Sequence, residues 1–367
     1  MRRALCASLV SLVASQSTIP ASSPLVRWTG RTLPSSNSVY FDWEGVSATI
    51  TASPLVNYVT ATIVDNCGGS AVGGGSRWAV TMTTNSSSVS PANHRVATFF
   101  SDSSVTEYVL FSNRGALCDP DCNFRAPTTF TLTRLTESRL SGCRSTGNLS
   151  VAAFTSDQPF LPPPPPAPRF LEFVGDSITA GDLNAGFLEN GVGSNAQCGN
   201  AAVNNDILLC YGATICRAFG ADCMHTAWGG ITLEGMVPLY NFTFSSVPGA
   251  AYLPYDFPRQ ADAVVLNLGT NGGDNVPKYV AFCQDIVTKY YKNSKLPLFL
   301  AYGPMTASYQ QIVVDTVSNL TAGGIRASVL DLTLNHTMTG CFGHPSAADD
   351  LEIAAKAELQ IAQVLGW

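Results

Sequence analysis

Charge is scarce in this chain. Only 13% of its residues are Asp, Glu, Lys or Arg, against roughly 25% in an average soluble protein. The balance is acidic, a net −6 at pH 7. A basic stripe for phosphates and a polybasic patch for anionic lipid are both missing, which argues against nucleic-acid and membrane partners. After the first residues no apolar run approaches the ~18 needed for a membrane-spanning helix, and no hydrophobic tail suggests a lipid anchor. Three signatures are also incomplete. Cys118-x3-Cys122 has no Cys/His pair at finger spacing after it, which counts against zinc. The glycine-rich residues 68–76 lack the Lys-Ser/Thr of a phosphate loop and read as a flexible loop. A G-x-S-x-G nucleophile elbow is not matched either, because Thr179 stands where its second glycine belongs.

What is present points to export. Met1-Arg2-Arg3, apolar residues 4–14 and small residues up to Ser17 read as a secretory signal cleaved near residues 15–17. Its removal takes away Cys6 and leaves ten of the eleven cysteines. Cys67, Cys118, Cys122 and Cys143 precede a proline run, and Cys198, Cys210, Cys216, Cys223, Cys283 and Cys341 follow it. Four and six are both even, so disulfides are expected to stay within each half. N-x-[ST] sequons at Asn85, Asn148, Asn241, Asn319 and Asn335 are consistent with secretion and glycosylation.

The pattern changes at the prolines. Residues 25–157 show short alternating runs at 40–43, 46–51, 58–64, 78–83, 95–100, 107–111 and 128–135, divided by Gly, Asn, Ser and Pro. That spacing predicts a β-sandwich or jelly-roll domain over 18–160. Residues 161–168, which are Leu161, the unbroken prolines Pro162–Pro166, Ala167 and Pro168, form a stiff polyproline linker. From 169 to 367 strands (170–174, 223–228, 263–268, 298–302, 328–332) alternate with helices (211–219, 278–292, 309–320, 347–365). An α/β domain with an open parallel sheet is expected, its site beyond the carboxyl ends of the strands.

The sharpest stretch is Arg169-Phe-Leu-Glu-Phe-Val-Gly-Asp-Ser-Ile-Thr-Ala-Gly181. An apolar strand breaks at Gly175 and places Ser177 where a helical turn begins, with turn N–H groups at hand for a developing negative charge. The plainer role for such a serine is a helix N-cap. Asp176 is expected to order the turn by accepting backbone N–H groups. Gly229-Gly230 follow a second strand, Gly269-Thr270-Asn271 a third, and Gly343-His344-Pro345 lies near the end. Among the four histidines only His344 has a loop-then-helix setting: His94 is in the β region, His225 in a strand and His336 in a sequon.

These four ordered blocks resemble those of the SGNH hydrolases, whose flavodoxin-like domain the C-terminal half is therefore expected to adopt. The resemblance implies Ser177 as nucleophile and His344 as general base. The amides of Ser177 and Gly230 and the side chain of Asn271 form the oxyanion hole. No metal or organic cofactor is called for. Trp228 is either core or a wall for a sugar ring. Val26-Arg-Trp-Thr-Gly-Arg31 and Phe41-Asp-Trp-Glu-Gly-Val46 resemble the opening of the jelly-roll domain in carbohydrate esterase family 2. That resemblance implies a secreted, monomeric serine esterase removing O-acetyl groups from polysaccharides or sugars. A glycan-binding module with little turnover and a short-chain or lipid esterase are the alternatives.

One departure matters. The aspartate that many such proteins carry two or three residues before the histidine is replaced here by Phe342 and Cys341. Asp349 belongs to a capping box with Ser346. A Ser177–His344 dyad is therefore expected, with a backbone carbonyl fixing the imidazole tautomer.

Overall fold

The computed structural model describes residues 16–66, 76–84, 94–101, 103–113, 126–137, 149–186, 198, 201–245, 253–273 and 275–367. The signal segment 1–15, Cys67, Cys118, Cys122, Cys143, most of the glycine-rich stretch and the sequons at Asn85 and Asn148 lie outside the described residues.

The N-terminal half contains β1 (Ser17–Pro20), β2 (Arg27–Thr29), β3 (Leu33–Pro34), β4 (Val39–Tyr40), β5 (Ser47–Ala52), β6 (Tyr58–Asp65), β7 (Arg77–Thr84), β8 (His94–Phe100), β9 (Glu107–Ser112), β10 (Thr128–Arg134), β11 (Leu149–Ser156) and β12 (Phe160–Leu161). They form two antiparallel six-stranded sheets, one ordered β3-β4-β11-β6-β9 with β1 beside β11, the other β12-β5-β10-β7-β8 with β2 beside β5. Alternation explains how they meet. Phe130 and Leu132 of β10 are buried while Thr129 and Thr131 are half-exposed, and the Phe130 ring lies 5.2 Å from Phe111 of the opposite sheet. Two boundaries differ from expectation. Ser17, placed in the signal, pairs with Ser156, and Leu161, placed in the linker, pairs with Thr51.

Beyond the prolines come β13 (Arg169–Gly175), α1 (Ser177–Ala180), α2 (Ala201–Asn204), α3 (Tyr211–Phe219), β14 (Ala221–Ala227), α4 (Leu233–Leu239), β15 (Ala263–Asn267), α5 (Val276–Asp285), β16 (Leu298–Tyr302), α6 (Gln310–Ala322), β17 (Ala327–Asp331) and α7 (Ala347–Leu365). All five strands are parallel, in the order β14-β13-β15-β16-β17. Counted from β13, this is the 2-1-3-4-5 order of flavodoxin-like sheets. Helix α4 was not expected, because Gly235 and Pro238 break its pattern. No helix among the described residues is long and apolar enough to cross a membrane.

Two disulfides, Cys198–Cys341 and Cys216–Cys223, lie within the second half. The expectation that all six cysteines there pair is corrected, since Cys210 and Cys283 are buried thiols. Each has a local reason. Cys210 caps α3, its Sγ accepting from the Ala213 N–H at 3.4 Å, and Cys283 is packed in the core on α5.

β13 buries side chains on both faces. Leu171 and Phe173 pack in the core that includes residues of α3 and α7, whereas Phe170 and Val174 join a core continuous with that of the β domain. Glu172, between these last two, is fully buried. Arg31 of the β domain reaches it, with Nη2 at 3.0 Å from Oε1. Thr226 Oγ1 (2.8 Å), Tyr240 Oη (2.6 Å) and Tyr291 Oη (2.7 Å) donate to the same carboxylate. The guanidinium also lies 4.8–5.1 Å from the ring centres of Tyr255, Tyr240 and Phe257. Removing one partner of a buried pair leaves an uncompensated charge, at a cost of about 3–5 kcal/mol. Arg31→Met and Glu172→Gln are each expected to lower the unfolding free energy by about that amount, measured by urea titration of tryptophan fluorescence. Losses below about 1 kcal/mol would contradict the assignment.

Candidate active site

Gly175 ends β13 because nothing larger fits: a Cβ there would lie 2.1 Å from Thr179 Oγ1 and 2.9 Å from the Asn267 carbonyl. The chain turns at once into α1. Asp176 is the N-cap, its Oδ1 accepting from Ile178 N–H at 3.1 Å, so the capping role considered for Ser177 falls to its neighbour. Ser177 is the first residue of α1 and only 6% exposed. His344 Nε2 stands 2.9 Å from its Oγ.

The other ring nitrogen, Nδ1, lies 3.3 Å from the Cys341 carbonyl. A carbonyl can only accept, so Nδ1 carries the hydrogen and the Nε2 lone pair faces the serine hydroxyl. Burial holds the His344 pKa below the usual 6.5, although backbone hydrogen bonds at Cys341 and Phe342 oppose the shift. The neutral ring is favoured.

A tight loop presents this histidine. Gly340 N–H donates to the His344 carbonyl at 3.0 Å, and His344 N–H to the Cys341 carbonyl at 3.1 Å. Phe342 (φ 55°) and Gly343 (φ 74°) are both left-handed, and the Phe342 side chain is half-exposed. Cys341 is tied to Cys198. Asp349 is engaged in the capping box: its Oδ2 accepts from Ser346 N–H (2.8 Å), Thr339 N–H (2.7 Å) and Thr339 Oγ1 (2.8 Å). Burial alone would raise the Asp349 pKa, but these donors hold it below the ordinary carboxylate value. Asp350 accepts from Asn184 Nδ2 and Tyr211 N–H, each at 3.1 Å, and burial pushes it up to about 8. The His344 ring's hydrogen bonds go to Ser177 and Cys341, not to these carboxylates.

The other expected residues lie on neighbouring loops. Trp228–Ile231 form a turn closed by Ile231 N–H to the Trp228 carbonyl at 3.1 Å, with exposed Gly230 at φ 75°. Trp228 is half-buried and packs against the core. Asn271, expected to offer its side-chain amide, has partners within the protein. Its Nδ2 donates to the Ile231 carbonyl at 3.0 Å and to Asp176 Oδ2 at 3.2 Å, so both amide hydrogens have protein acceptors. Burial pushes Asp176 up to about 7, with the Ile178 and Thr270 donors pulling the other way. The remaining histidines are elsewhere. His225 is buried in β14 beside Cys210, and His336 is exposed near Glu352. One contact had no local sequence signal: Glu137 of the β domain accepts from Gly229 N–H.

No family model matches the chain. Among curated proteins it resembles the cellulase/esterase CelE of Acetivibrio thermocellus, with 25% identity over 236 residues. That match covers 56% of this chain and 27% of the relative, so the chain spans about a quarter of its length. Among solved structures, a family two carbohydrate esterase from Cellvibrio japonicus superposes with a TM-score of 0.75 at 20% identity, covering 96% of this chain and 99% of that one. An acetyl xylan esterase from Butyrivibrio proteoclasticus gives a TM-score of 0.70 at 18% identity, covering 96% and 99%. The fold is that of these family 2 carbohydrate esterases.

Nitrogen-detected NMR of the imidazoles is expected to find His344 as the Nδ1–H tautomer, titrating below pH 6.5. Asp349→Asn should weaken the cap, lowering stability by about 1 kcal/mol in thermal unfolding, without changing that tautomer. A switch to Nε2–H in the variant would show that the carboxylate, not the Cys341 carbonyl, orients the ring.

Proposed function

We propose that the protein is a secreted serine esterase that removes O-acetyl groups from polysaccharides or sugars. The observation that carries this reading is the aligned pair Ser177 Oγ and His344 Nε2 at 2.9 Å, with Nδ1 held by a carbonyl. In the first step Ser177 Oγ attacks the ester carbonyl and its proton passes to His344 Nε2. The tetrahedral oxyanion is met by the amides of Ser177 and Gly230 and by Asn271 Nδ2, which exchanges a protein acceptor for it. His344 then protonates the departing sugar oxygen. Water, deprotonated by the same nitrogen, releases acetate from Ser177. The fold shared with carbohydrate esterases, one of them an acetyl xylan esterase, supports the substrate class. The two antiparallel sheets ahead of the α/β domain are read as the jelly-roll domain of that architecture, preceded by an export signal that ends before β1 at Ser17.

One observation favours a second reading, a glycan-binding protein with little turnover. Both amide hydrogens of Asn271 are engaged within the protein, and an oxyanion must displace one of those acceptors. Acetate release from a panel of acetylated polysaccharides, set beside glycan affinity, separates the two.

Three outcomes are expected. Ser177→Ala lowers acetate release by about 10⁴-fold or more while the fold persists. Aryl acetates turn over faster than octanoates, and the reverse order would remove the deacetylase reading. The pH profile of kcat/KM follows from the base: His344 acts as the neutral ring, so activity is lost as pH falls, with a midpoint below 6.5. A midpoint above 7 would contradict the burial of that ring.

A further inference from the structure

Two adjacent glycines make the Trp228–Ile231 turn a poor support for anything exact. Neither has a Cβ to restrict its backbone, so the peptide that precedes Gly229 is held in place only by what its own groups bond to. Yet three of its four amides are held. Trp228 N–H donates to the Gly175 carbonyl at 3.2 Å and Ile231 N–H to Trp228 at 3.1 Å. Gly229 N–H donates to Glu137, from the other domain. Of the four, only the Gly230 N–H has no acceptor among the described residues, and it is the amide assigned to the oxyanion.

We propose that Glu137 is a positioning residue for the oxyanion side of the site, so that the turn is held jointly by both domains. This rests on the reading of Gly230 as an oxyanion donor.

The surroundings of Glu137 suit that task. It lies three residues past the end of β10 and is 1% exposed. The stub that carries it is anchored by Leu135 N–H to the Arg77 carbonyl at 2.8 Å and by Arg77 N–H to Thr136 Oγ1 at 3.1 Å. The buried Arg134 guanidinium supplies opposite charge to Glu137, together with Asp42, Asp65 and Glu44. Asp182 of the α/β domain also lies against this glycine. A Cβ at Gly229 would lie 2.3 Å from Asp182 Oδ2 and 3.1 Å from Glu137 Oε1, so a carboxyl group of each domain leaves room there for glycine alone. A carboxyl oxygen accepts from an N–H and repels a carbonyl turned toward it. The peptide plane before the oxyanion amide therefore has one preferred orientation.

The test compares Glu137→Gln, Glu137→Asp and Glu137→Ala in the full chain, with an aryl acetate as substrate and phenylboronic acid as a probe. Boronate forms a tetrahedral anion on the serine and reads the oxyanion site without turnover. In Glu137→Ala we expect kcat to fall about 10- to 100-fold, KM to stay within about twofold and boronate affinity to fall with kcat. Glu137→Gln keeps an acceptor oxygen and should recover most of the loss. Should the alanine variant fail to fold, Glu137→Asp decides, because it keeps the charge beside Arg134 and only withdraws the acceptor by one methylene. Wild-type kcat and boronate affinity in a folded Ala or Asp variant would overturn the proposal. So would a loss of kcat accompanied by lower thermal stability but unchanged boronate affinity. An unmodified protein with no Ser177-dependent turnover would take down the functional reading and this one together, a different result from an active protein indifferent to position 137.

Discussion

A carboxylate in the middle of a parallel sheet is the constraint on which this architecture depends. Glu172 occupies a core position of β13, the strand that delivers Ser177, and no water reaches it. An ionised carboxylate in such a place is very costly unless it is paired and hydrogen-bonded. Three side-chain hydroxyls come from the α/β domain itself, but the cation comes from Arg31, across the domain boundary. The α/β sheet is thus completed by a residue of the β domain. The same guanidinium packs among aromatic rings of both domains, Trp43 at 5.6 Å and Tyr255 at 4.8 Å, which adds cation–π attraction in a desolvated site.

Other contacts across the boundary differ in weight. Asp42 Oδ1 accepts from Ser245 N–H at 2.6 Å in a buried setting, where a missing partner would be expensive. Arg27 with Asp222 at 3.1 Å lies nearer solvent, where such pairs contribute about 0–1 kcal/mol, whereas the bidentate pair of Arg95 with Asp206 has its carboxylate buried. The boundary is therefore organised as an interior rather than as a wet interface between separate units. Burial raises the Glu44 pKa to about 8 and lowers that of Arg134.

Much of this was legible in the sequence wherever the cause is local. Strand periodicity placed β5 to β10 within a residue or two, with β8 and β9 nearly coincident, because one face of each meets a core. The positions of β13 to β17 within about two residues and the bounds of α3 and α7 followed from the same kind of pattern. What escaped it has long-range causes. Parity suggested that Cys210 and Cys283 would pair, but burial and capping hold them as thiols. Nothing near Asn271 shows that its amide meets Asp176 and Ile231, and nothing near Glu137 points to a glycine 92 positions away. A carbonyl ligand for His344 was foreseeable once no aspartate preceded it. That the ligand is Cys341, itself tethered to Cys198, needed three dimensions.

The proline segment has a consequence of its own. Its Ala167 is bonded on both sides, N–H to Asp222 Oδ2 at 3.0 Å and carbonyl to Arg259 at 2.5 Å, so the strut is fastened to the domain it leads into. The strand pairing of Leu161 fastens its other end. A connection that is intrinsically extended and pinned at both ends acts as a spacer rather than as a hinge. On the esterase reading proposed above, the two domains would meet a substrate at a fixed relative placement rather than by closing on it.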